Sequence, residues 1–138
     1  MKIISVIAAF MLLLCGAQAS VNIGTVDAYT MEVGNVNTDV KVKTIDVSYL
    51  TTGDQNGNLS IENADVYQWT AGNQNGNFSL TKGSIGYGRF GNVNGDVNFG
   101  DVNDDDRSES YLVVGVVKGN VTGNSLTGFN KITVAGVE

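Results

Sequence analysis

A chain of 138 residues with a formal charge of -6, no histidine, no proline and one cysteine excludes several functions at once. The acidic balance argues against a nucleic-acid partner and against a cationic membrane-lytic peptide. The absent histidines remove the commonest general base and the commonest transition-metal ligand, and a single cysteine provides no disulfide framework.

Residues 1–19 read as a secretory signal peptide. Lys2 supplies the positive n-region, residues 3–14 the apolar h-region, and Ala17-Gln18-Ala19 the small-x-small cleavage site before Ser20. Lipid attachment at Cys15 would require a small residue in front of it, where the chain has Leu14. The apolar run is shorter than the roughly 20 residues of a membrane-spanning helix, and no other stretch approaches that length. Cleavage after Ala19 removes Cys15 and Lys2 and leaves residues 20–138 as one exported domain.

That domain is organised around a recurring phrase. It reads GNVNTDVKV from Gly34, GDQNGNLSI from Gly53, GNQNGNFSL from Gly72, GNVNGDVNF from Gly91, and a degraded GNVTGNSLT from Gly119. The first four glycines are 19 residues apart; the fifth follows after 28, which places an insertion at about residues 105–117. A fixed period of this kind is the signature of a repeat architecture.

Each unit can be counted in columns from its glycine. The seventh column holds Val21, Val40, Leu59, Phe78 and Val97, and the ninth holds Ile23, Val42, Ile61, Leu80 and Phe99, with polar residues between them. Apolar, polar, apolar is strand alternation with one face buried. The twelfth and fourteenth columns, Ile45 and Val47 in the first full unit, form a second such pair. The tenth and eleventh columns, such as Lys43-Thr44, are turn-compatible and separate the two. The expectation is an all-β chain, a short β-solenoid of about five strand-turn-strand coils, with a β-sandwich or barrel as the alternative. Residues 111–117 read as a β-prone strand inside the insertion, and residues 132–137 as a last strand closing the stack.

The fourth column, Asn37, Asn56, Asn75 and Asn94 and then Thr122, is a candidate hydrogen-bonded amide ladder, because stacked strands repeat every ~4.8 Å. Gly34, Gly53, Gly72 and Gly91 are expected to supply positive φ or close backbone approach. The thirteenth column carries Asp27, Asp46 and Asp65, solvated charges whose mutual repulsion at that spacing in water is about 0.9 kcal/mol per neighbouring pair. Asp96, Asp101, Asp104 and Asp105 are candidate calcium ligands in an acidic stretch. An EF-hand-type loop counted from Asn92, however, has Val97 where glycine belongs and Asn103 where the bidentate acid belongs. Asn58, Asn77 and Asn120 head N-glycosylation sequons. Tyr49, Tyr67, Trp69, Tyr87 and Phe90 fall in the second halves of the units, either packing on a strand face or stacking on a glycan or a neighbouring subunit. No catalytic constellation is visible, so neither an enzyme nor a cofactor is expected.

The segment Ala64-Asp65-Val66-Tyr67-Gln68-Trp69-Thr70-Ala71-Gly72-Asn73 resembles the curlin repeat of bacterial amyloid fibres. Gln55-x-Gly57-x-x-Ser60 and Gln74-x-Gly76-x-x-Ser79 resemble the Gln-x-Gly-x-x-Asn pattern of that family, with serine in the last place, while Val36 and Val93 stand where glutamine belongs. The resemblance implies a self-assembling extracellular fibre. The functional expectation is a secreted structural protein of a matrix, coat or fibre, whose partner is itself or an extracellular surface and whose aspartates restrain assembly until acidified. The alternative is a soluble secreted binding module, such as a defence or host-directed effector protein.

Overall fold

The computed structural model describes residues 8–10, 20–104 and 109–138, and among them there is no helix, hence none long and apolar enough to cross a membrane. Residues 1–7 and 11–19 of the predicted signal peptide lie outside the described residues. The chain is a β-solenoid of about six turns built from parallel strands. Strand β1 (Ala8–Phe10) lies in parallel on Met31–Val33 of β2 (Val21–Val33). Three further strands of 13 residues stack on β2 in turn: β3 (Val40–Thr52), β4 (Leu59–Ala71) and β5 (Phe78–Phe90). Register follows the period, with Val21 opposite Val40, Val40 opposite Leu59 and Leu59 opposite Phe78.

These strands are continuous where the sequence predicted strand, turn, strand. In β3, Val40 and Val42 point inward, Lys43 and Thr44 both face outward, Ile45 and Val47 point inward, Ser48 and Tyr49 face outward, and Leu50 is buried again. Two successive outward residues slip the alternation by one, so the strand rounds a corner without ending. Ladder pairing skips a single residue at each corner: Val42 and Thr44 have register partners, and so do Val47 and Tyr49.

The last two coils are split. Strand β6 (Val97–Asn103) stacks on the first half of β5, and β7 (Tyr111–Val117) on its second half. Strands β8 (Val121–Thr127) and β9 (Lys131–Val137) then stack on β6 and β7. This corrects two sequence expectations. Residues 111–117 are not inserted material; they complete a coil. The unit also resumes at Gly115, whose N–H donates to the Gly91 carbonyl, and not at Gly119. Thr122 accordingly pairs with Asn98 and stands outside the asparagine column, whose place is taken by Lys118, donating from its backbone to the Val93 carbonyl.

The core fills the tube. Val36, Val40, Val42, Ile45, Val47 and Leu50 of one coil give way to Leu59, Ile61, Ala64, Val66 and Trp69 of the next, all buried. Trp69 lies with ring centroids 5.0 Å from Phe90 and 5.8 Å from Phe78, in edge-to-face geometry. Small residues make room for it: Gly88 is its register partner, and a Cβ on Gly88 would already lie 2.9 Å from Leu112.

Candidate functional site

The Gly-Asn phrase forms a polar turn that binds coil to coil through three side-chain columns. In the second column the Asn35 Oδ1 accepts the Asp54 backbone N–H at 2.9 Å, Asp54 accepts that of Asn73, Asn73 that of Asn92, and Asn92 that of Val116. In the sixth column Asp39 accepts from Asn58 at 2.8 Å, Asn58 from Asn77, Asn77 from Asp96, and Asp96 from Asn120. In the fourth column the amides of Asn56, Asn75 and Asn94 each donate through Nδ2 to the Oδ1 of Asn37, Asn56 and Asn75 respectively. Beneath them, buried Gln55 and Gln74 donate through Nε2 to the carbonyls of Thr38 and Gly57, both at 2.7 Å.

Every second- and sixth-column oxygen accepts from the coil that follows, so the ladder is polar along the tube. Close stacking requires the glycines. A Cβ on Gly76 would lie 2.4 Å from the Gly57 carbonyl oxygen, and one on Gly53 or Gly72 would lie 2.9 Å from the carbonyl carbon of the preceding first-column glycine. At Gly34 a Cβ meets nothing within 4 Å among the described residues. Positive φ occurs only at Gly128 among the described glycines, so Gly53, Gly72 and Gly91 serve close approach and not a left-handed turn.

The calcium candidates do not converge. The Asp96 carboxylate accepts from Asn120, Asp101 faces outward and accepts from the Asn124 amide at 2.6 Å, and Asp104 is buried. Asp105 lies outside the described residues. Among the described residues no three His, Cys, Asp or Glu side chains are grouped to hold a metal ion. Asp104 accepts from the buried Ser110 hydroxyl at 3.3 Å, while the Ser110 backbone donates to the Asn130 Oδ1 at 2.8 Å, so Ser110 links Asp104 to the last coil. The sequon residues Asn58, Asn77 and Asn120 belong to the sixth-column ladder. Asp27, Asp46 and Asp65 are register partners on the outer face.

Two further features complete the surface. The column analysis missed a tyrosine stripe: Tyr29, Tyr49, Tyr67, Tyr87 and Tyr111 succeed one another along one outer corner, with ring centroids 5.4, 5.8, 5.4 and 5.1 Å apart. Beside it runs a shallow groove of about 460 Å³ lined by Tyr67, Gln68, Thr70, Tyr87, Arg89 and Tyr111. Trp69 and Phe90, grouped with the tyrosines in the sequence, point into the core instead.

The other feature is the pair of end coils. At β2 the lumen opens in an apolar cup of about 400 Å³, lined by Val21, Ile23, Met31, Val33, Leu50 and Trp69 among others. At the opposite end β8 and β9 leave Val121, Ile132 and Val137 exposed, Val137 by 61%.

Comparison with protein-family models, curated proteins and solved structures finds no match to this chain.

Proposed function

We propose that the protein is a secreted structural component of a matrix, coat or fibre that assembles with copies of itself. The observation that carries this reading is the pair of unfinished end coils. A solenoid buries its core only between neighbouring coils, so a terminal coil normally needs a polar cap to remain soluble. Here the two end coils expose an apolar cup and the side chains of Val121, Ile132 and Val137. The backbones of β8 and β9 also end the sheet among the described residues, an edge of the kind that templates strand addition. The resemblance of the Gln55 and Gln74 phrases to curlin repeats supports the same reading, because in this fold both glutamines lie at the buried turn that holds successive coils together.

A second reading, a soluble binding module, rests on the tyrosine stripe and its groove. The exposed Tyr111 ring and the half-buried rings of Tyr67 and Tyr87, beside Gln68, Thr70 and Arg89, are suited to stacking on and hydrogen-bonding a glycan.

The experiment that separates them is sizing of the exported protein over days, with thioflavin fluorescence. Self-assembly predicts time-dependent growth of large species. A persistent monomer that binds oligosaccharide saturably would replace this reading with the second.

A further inference from the structure

We propose that copies join head to tail, with β8 and β9 of one copy pairing in parallel with β2 of the next, so that the 19-residue columns continue across the joint. The inference rests on the self-assembly reading and names its partner surface. Four observations carry it. First, the inward residues match by column. Val121, Leu126, Ile132 and Val134 stand where they would meet Val21, Val26, Met31 and Val33, and no charged residue falls on an inward position of either coil. Second, the sizes are complementary: Gly123 of the last coil, in the column of Phe99, would face the larger Ile23. Third, the charges are opposite. Residues 21–33 carry Asp27 and Glu32 with no cation, while residues 115–138 carry Lys118 and Lys131 against the single acid Glu138.

Fourth, the strand ladders of the described residues are all parallel. Two copies joined by like ends would have to pair their strands antiparallel, which no ladder among the described residues does. A heterologous joint of this kind does not close on itself and generates filaments. In the full chain β1 lies in parallel on Met31–Val33, the place that Ile132–Val134 of a second copy would take. Loss of the predicted signal peptide therefore frees the accepting edge, and the precursor is held back from assembly.

Cysteine pairing tests the joint. Asn22 and Thr122 occupy the same outward column at opposite ends of the stack, with Lys41, Ser60, Ser79 and Asn98 between them, so they cannot meet within one copy. Across the proposed joint their Cα atoms would be about 4.8 Å apart, within disulfide reach. The exported protein bearing both Asn22→Cys and Thr122→Cys should form a disulfide ladder of dimers, trimers and longer species on a non-reducing gel. Equal mixtures of the two single variants should stop at dimers, and neither single variant should cross-link alone. Cross-linking of a single variant with itself would overturn head-to-tail joining in favour of like ends. Thioflavin-positive assembly without disulfides in the double variant would overturn this joint and leave self-assembly standing; absence of any assembly would overturn both. The full chain with its leader retained should assemble at least tenfold more slowly than the exported form, and equal rates would remove β1 from the account.

Discussion

At the residue scale, the same amino acid carries different weight according to whether a coil precedes it. Gly34 and Gly72 open the same phrase in identical columns, yet a Cβ on Gly34 meets nothing within 4 Å, whereas one on Gly72 would lie 2.6 Å from the Asp54 Oδ1 and 2.9 Å from the Gly53 carbonyl carbon. Gly34→Ala is therefore expected to leave stability unchanged within about 0.5 kcal/mol, and Gly72→Ala to cost about 1–3 kcal/mol through forced separation of the coils. Denaturant unfolding of the two variants checks this; equal losses would show that backbone freedom, not stacking, selects the glycine. The asparagine column was legible because four asparagines recur at a fixed spacing. Its neighbours were not, because Asn35, Asp54, Asn73 and Asn92 mix acid and amide. What unites them is one acceptor oxygen reaching the next backbone N–H, a role that either side chain fills.

At the scale of the element, alternation revealed the buried faces of each strand but not its corners. Lys43-Thr44 and Glu62-Asn63 read as turns because both residues are polar, and a strand that rounds a corner also places two polar residues side by side. The corner hid the tyrosines as well: Tyr29 and Tyr67 fall one column before Tyr49, Tyr87 and Tyr111, so they share no column yet share an outer edge. Inside the strand, Trp69 packs against Phe78 and Phe90 and is fully buried. Trp69→Ala should destabilise the domain by about 3–5 kcal/mol, read as a lowered unfolding midpoint with loss of cooperativity. A loss under about 1 kcal/mol would mean that the coils do not share one core.

For the whole molecule, the period fixed the stacking register through β5, and the misplacement came where the phrase decayed. Gly119-Asn120-Val121 copies the letters of the repeat, whereas the coil turns at Gly115-Val116-Val117-Lys118, which has lost both asparagines. The inward residues would have found the register: Val117 is fully buried and bridges to Val93, and Val121 follows it by the same four residues that separate Val93 from Val97. Lys118 also ends the amide ladder one coil before the exposed end, leaving apolar contact and backbone pairing to make any joint there.

The most direct measurement of the proposed joint is diffraction from aligned fibres of residues 20–138. Coils continuing from copy to copy place the ~4.8 Å strand spacing along the fibre axis. With about six coils per copy, they add an axial repeat of roughly 29 Å. Both reflections on the meridian are the predicted result; a strand spacing across the axis, or fibres without the longer repeat, would contradict an end-to-end solenoid.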